Sequence, residues 1–128
     1  MSNFTRLELD YLTGERRLAR LATVGDDGMP HIAPVGWAYR PEEDVIEIGG
    51  REEFGRTKKY RDVAHSGRAA IVVDDVLPPW QPRGVEVRGR SEAIPGPPAV
   101  IRIHPDRVIS WGLDPQVASP RDPTGGAK

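Results

Sequence analysis

The chain of 128 residues has no cysteine, which excludes disulfides, thiolate nucleophiles and thiolate metal sites. It also lacks an excess of either charge. With 18 Lys and Arg against 19 Asp and Glu, the net charge of -1 draws the molecule toward neither nucleic acid nor an anionic membrane. Any anion site must therefore be local. Aromatic residues make up only 6%, and no row of them is interleaved with cations as single-strand nucleic-acid binding requires. Long apolar runs are missing too: none approaches the ~20 residues that span a bilayer, and the segment "MSNFTRLELD" has no apolar stretch of signal-peptide type. We expect a soluble cytoplasmic protein with no membrane or nucleic-acid partner.

What is present suits one compact domain. Phe4-Thr5-Arg6-Leu7-Glu8 predicts a helix start, with Thr5 as N-cap, Glu8 closing a capping box, Phe4 stapling onto Leu9 and Gly14 as the stop. The period then changes. Leu18 to Val24 and His31 to Tyr39 read as strands joined by a hairpin at Asp26-Asp27-Gly28, and Val45 to Gly49 as a third strand. Residues 56–65 read as a helix with Tyr60, Val63 and Ala64 on its apolar face and Gly67 as the stop. Arg68 to Asp74 predicts a fourth strand, ended by Asp74 and Asp75, and "VLPPWQPRG" a Pro-rich link. In the next strand Val85, Val87, Gly89, Ser91 and Ala93 alternate with Glu86, Arg88, Arg90 and Glu92, giving one core face and one wet face. "AVIRIHP" and "RVISWG" supply one or two more. About six strands and two short helices, mostly in hairpin order, predict an antiparallel sheet rolled into a small barrel. Residues 114–128 hold three Pro and no strong apolar pattern, and read as a flexible tail.

The stretch "GGREEFGRTKK" is close to a P-loop, with Gly50, Gly55, Arg56 and Thr57 near the required spacing. Glu52 and Glu53 would face phosphate oxygens, Arg56 stands where Lys is needed, and no helix follows "IVVDD", so nucleotide hydrolysis is rejected. A simpler chemistry remains. Arg51, Arg56, Lys58, Lys59 and Arg61 surround the expected helix start, where free amides and a partial positive charge favour phosphate. A solvated, salt-bridged helix face is the alternative.

No group of residues looks like an independent catalytic machine or a metal site. His31, His65 and His104 lack ligand spacing and read as surface or structural, and Ser66, Ser91 and Ser110 have no nucleophile motif. Trp37, Trp80 and Trp111 suit either ring stacking or packing in the core or an interface.

In order, "RLARLATVGDDGMPHIAPVGWAY", "DVIEIGG" and "RTKKYRDVAHSGRAAIVVDD" resemble the pyridoxamine 5'-phosphate oxidase-like split β-barrels, which bind a flavin or deazaflavin between two subunits. Thr57 and Lys59 match the Ser/Thr and Lys of that family's phosphate motif. With "WQPRGVEVRGRSEAI" and "IRIHPDRVISWGL" added, the pattern is similar to a branch that uses the deazaflavin coenzyme F-420, over roughly residues 7–113. The resemblance implies a mainly β, antiparallel split barrel over residues 1–113, homodimeric, with the cofactor at the subunit interface. It implies that Arg56, Thr57, Lys58 and Lys59 hold the phosphate or its linker, that Ala33, Pro34 and Val35 lie against the ring system, and that Gly49, Gly50 and Arg51 lie near the ribityl chain. The implied activity is hydride transfer from the reduced deazaflavin to a small electrophilic organic substrate. The alternatives are an FMN-dependent reductase or oxidase of the same fold and a non-catalytic flavin or deazaflavin carrier.

Overall fold

The computed structural model describes residues 1–114, so the tail expected over 114–128 lies, beyond Asp114, outside the described residues. The opening helix α1 runs Arg6–Thr13, and its capping box forms: Thr5 Oγ1 accepts from the Glu8 amide while Glu8 returns a carboxylate oxygen to the Thr5 amide. The other Glu8 oxygen accepts a 2.6 Å bond from the Ser110 hydroxyl. One buried carboxylate thus caps a helix and ties it to a distant strand.

Eight strands follow, all paired antiparallel, rather than the six expected: β1 (Ala19–Val24), β2 (Pro30–Val35), β3 (Trp37–Arg40), β4 (Val45–Gly49), β5 (Arg68–Leu77), β6 (Gln81–Ile94), β7 (Val100–Ile103) and β8 (Arg107–Trp111). They form one curled sheet in the order β2-β1-β5-β6-β7-β4-β3, with β8 also on β6. This is the split antiparallel barrel that the sequence pattern anticipates. The parallel sheet that a P-loop needs is not built.

Three expectations are corrected. The run His31 to Tyr39 is two strands: β2 pairs with β1 and β3 pairs with β4, so the chain leaves one end of the sheet and joins the other at Gly36. The fourth strand does not stop at Asp74 and Asp75; β5 continues to Leu77, and most of "VLPPWQPRG" forms the arms of a long hairpin turning at residues 78–80. Asp75 stays in the ladder because Arg83 lies directly opposite and meets it through two bonds of 2.7 and 3.0 Å. The second helix, α2, runs Lys58–Ser66 after a 3-10 turn at Phe54–Arg56, and Ala64 faces solvent while Asp62 and Val63 are buried. Gly67 ends α2 at φ 71°, as its position suggested.

The core fills from alternate positions: Leu21 of β1, Ile46 and Ile48 of β4, Ile71 and Val73 of β5, Val85 and Val87 of β6, and Ile101 and Ile103 of β7. Each such side chain contributes about 1.5–3 kcal/mol by leaving water. β6 serves both halves, pairing with β5 and β8 along its first part and with β7 over Ser91–Ile94, just beyond Gly89. There the link from β7 to β8 crosses so closely that a Cβ would clash with the His104 carbonyl, while the His104 and Asp106 amides bond back to β6.

Candidate functional site

Thr57 is the N-cap of α2: its hydroxyl donates to the Phe54 carbonyl at 2.7 Å and accepts from the Tyr60 amide at 3.3 Å. The amides of Lys58 and Lys59 sit in the first turn, where no preceding helical carbonyl can reach them. These donors, with the partial positive charge of the helix end, face an environment free of first-turn acids. The chemistry of the set fits a phosphate.

The four basic or polar candidates here differ in circumstance. Lys59 is half-buried, with its ammonium 5.5 Å from the centre of the Phe54 ring, which is itself packed edge-on against Tyr60. Arg56 is exposed, and its carbonyl accepts a bond from the Arg61 guanidinium. Lys58 is already paired. Its ammonium lies 3.0 and 3.2 Å from the two carboxylate oxygens of Asp62, and Asp62 also accepts a 2.9 Å bond from Thr23 of β1. Burial pushes the Asp62 pKa up, but the bonds from Lys58 and Thr23 outweigh it and hold the carboxyl below its ordinary value.

The glycine and β2 candidates complete the surroundings. Because Trp37 pairs with Ile48, Gly36 comes alongside Gly49, bringing the end of β2 to the end of β4. A Cβ on Gly36 would meet nothing, whereas one on Gly50 would strike the Phe54 ring at 2.7 Å. Gly50 therefore lets the chain turn tightly onto Phe54, and exposed Arg51 follows, its carbonyl accepting the Phe54 amide. Ala33 and Val35 face inward opposite Leu21 and Ala19, while Pro34 points to the other side of β2.

Three neighbours were not singled out by the sequence: Thr23, Gly25 and Asp62. A Cβ on Gly25 would lie 3.1 Å from Lys58 Nζ and 3.0 Å from Asp62 Oδ1, so the β1–β2 turn rests directly on this ion pair. His31, opposite Thr23 and read as surface or structural, adds its field to Asp62. The i,i+4 spacing of Lys58 and Asp62 was visible as a pattern; the bond to Thr23 joins residues 39 apart and was not.

A cavity of about 810 Å³ lies elsewhere, on the outer side of β1, β5 and β6, and none of the ten candidate residues lines it. It approaches the α2 site through Thr23 and Gly25 and reaches the far end of α2 at His65 and Ser66.

Residues 7–112 match the pyridoxamine 5'-phosphate oxidase family. The chain belongs to that family. A relative from Streptomyces rimosus, a 5a,11a-dehydrotetracycline/5a,11a-dehydrooxytetracycline reductase, is 40% identical over 122 residues, spanning 87% of this chain and 84% of its own. Among solved structures, an FAD-binding protein from Mesorhizobium loti superposes with a TM-score of 0.63 at 20% identity, covering 84% of this chain and 93% of that one. An F-420 reductase does so with a TM-score of 0.62 at 22% identity, covering 77% and 94%. These two establish the shared fold, and the reductase from S. rimosus supports an oxidoreductase. Among the described residues no helix is long and apolar enough to cross a membrane.

Proposed function

We propose that this protein is an oxidoreductase that binds the reduced deazaflavin coenzyme F-420 and reduces a small electrophilic organic substrate. The observation that carries the reading is the Thr57-capped start of α2, with two free amides, Lys59 beside them and no opposing acid in the first turn. The 40% identical reductase supports the redox assignment. When bound, the deazaflavin supplies the hydride.

In this reading Thr57, Lys58, Lys59 and Arg56 hold the phosphate end. Gly49, Gly50 and Arg51 border the linker, and the β2 segment Ala33, Pro34 and Val35 lies against the ring. The contribution of the chain is orientation and exclusion of water rather than acid–base chemistry. Lys58 is held and largely neutralised by Asp62, which leaves Lys59 as the principal cationic grip. The protein works as a homodimer, and Ile32, 67% exposed beside exposed Val24 and Pro34, supports an outer face that a second copy covers.

An FMN-dependent reaction is the second reading, favoured by the likeness to a flavin-binding protein. Equilibrium titration of the purified protein with coenzyme F-420 and with FMN, followed by fluorescence, separates the two. Tighter binding of F-420, followed by loss of its reduced form when an organic acceptor is added, is expected. Binding of FMN alone selects the second reading, and binding of neither overturns both.

A further inference from the structure

The outer face of the sheet carries an arrangement that folding alone does not favour. Residues directly opposite in an antiparallel ladder share a face, and like charges so placed destabilise it. Arg68 of β5 is opposite Arg90 of β6, and Arg88 of β6 is opposite Arg107 of β8. Four guanidiniums therefore stand on one patch of three adjacent strands. Asp106 meets Arg90 at 3.0 Å and Glu86 meets Arg88 at 2.9 Å. No carboxylate lies within 4.0 Å of Arg68 or Arg107 among the described residues.

These four arginines line the cavity of about 810 Å³. Glu86 and Asp106 meet two of the four arginines and Asp26 also lies in the wall, so one positive charge remains in excess and Arg68 and Arg107 are the two arginines with no acid beside them. The rest of the cavity is different in kind. Across the sheet the row Arg107, Arg88, Ala70, Ala22 passes from charge to small apolar side chains, and Pro30 continues the apolar side. Alanine at both central positions leaves a flat floor.

We propose that this groove is a second binding site, for a small organic dianion carried on a flat apolar body. Guanidinium forks accept carboxylate or phosphate through paired bonds, and Arg68 and Arg107 have both donor edges uncommitted to any acid. The diagonal placement of the two across β6, two strands and two residues apart, spaces their Cα atoms by about 12 Å, a gap that two long arginine side chains can close around the paired charges of one small ligand. The alanine floor receives the body. The site is distinct from the start of α2 and stands whether the redox cofactor is a deazaflavin or FMN. The same chemistry could be offered by a free organic acid or by an acidic extension of the coenzyme.

Phthalate, a flat aromatic dianion at neutral pH, is the probe, with dimethyl phthalate as the uncharged control. Titration of the intact protein, followed by the arginine Nε–H and backbone amide NMR signals, is expected to shift residues of β5, β6 and β8 with phthalate only, less so as salt is added. Arg68→Gln and Arg107→Gln are expected to weaken binding about tenfold or more. The same two variants are expected to melt no lower than the parent, since each removes one member of a like-charge pair. Arg20→Gln, outside the groove, should bind phthalate normally. Displacement of phthalate by coenzyme F-420 would identify the coenzyme's acidic part as the occupant, and simultaneous binding would identify a separate acid; either supports the site. No binding up to about 10 mM, or binding that both arginine variants leave unchanged, overturns it.

Discussion

The Thr23 hydroxyl of β1 donates a 2.9 Å hydrogen bond to Asp62 of α2, and both groups are buried. Through this bond the wall of the barrel fixes a carboxylate, and the carboxylate in turn fixes Lys58. Removing the hydroxyl by Thr23→Val is expected to cost about 1–3 kcal/mol, the scale for leaving a buried charged acceptor short of a donor. Urea unfolding of Thr23→Val, Asp62→Ala and the double variant should show a coupling of about 0.5–3 kcal/mol. Additive costs would mean that the two residues act independently.

Lys58 and Lys59 are adjacent in sequence but not equivalent. Because Asp62 already neutralises Lys58, Lys59→Ala is expected to weaken cofactor binding by about 1–3 kcal/mol and Lys58→Ala by less. Isothermal titration of both variants checks the order. Equal losses would show that the Asp62 pair opens on binding.

Asp75 joins α1 to the long β5–β6 hairpin. It accepts from Arg83 and from the Tyr11 hydroxyl at 2.8 Å, while the Arg17 guanidinium lies 3.8 Å from the centre of the Tyr11 ring. The Arg83 bond is the main cause that lowers its pKa from 3.8 to about 2, with Tyr11 and the nearby arginines adding to it against partial burial. A depressed carboxyl contributes stability above its unfolded pKa and loses it as pH falls through the folded one. Asp75→Asn is therefore expected to lose about 1–2 kcal/mol at pH 5, after allowing for solvent screening, with the difference from the parent closing between pH 4 and 2. Thermal melts at several pH values give the comparison. A difference that stays constant in acid would remove the ion pair from the account.

Ile32 is the test of assembly. Ile32→Lys places a charge on the exposed apolar face and is expected to convert a dimer to monomers in light scattering, with cofactor affinity falling in parallel. A parent protein that is monomeric even with cofactor bound would end the dimer proposal.

The parts legible in the sequence were those set by local chemistry. The α1 capping box, the Gly67 stop and the inward alternation of Val85 and Val87 all depend on residues a few positions apart, and all formed. What escaped was decided at a distance. Gly36 inside an apolar run gave no local sign that the strands on either side pair with different partners. Asp75 read as the end of a strand because its partner Arg83 lies across a hairpin whose prolines resembled a loop. Ala64 looked apolar by spacing, yet the face that α2 turns to β1 carries Asp62, whose charge is tolerated there only because Thr23 and Lys58 meet it. The arginine groove was equally hidden: its four members read as the wet side of strands until the register placed them opposite one another.

Gly36 has one more effect. It clasps the two lips of the open sheet, since the Cα atoms of Val35 and Trp37 can be no more than about 7 Å apart. The mouth between β2 and β3 is held to a set width by the covalent chain itself. A few residues inserted at this point would let it gape without disturbing a single ladder bond.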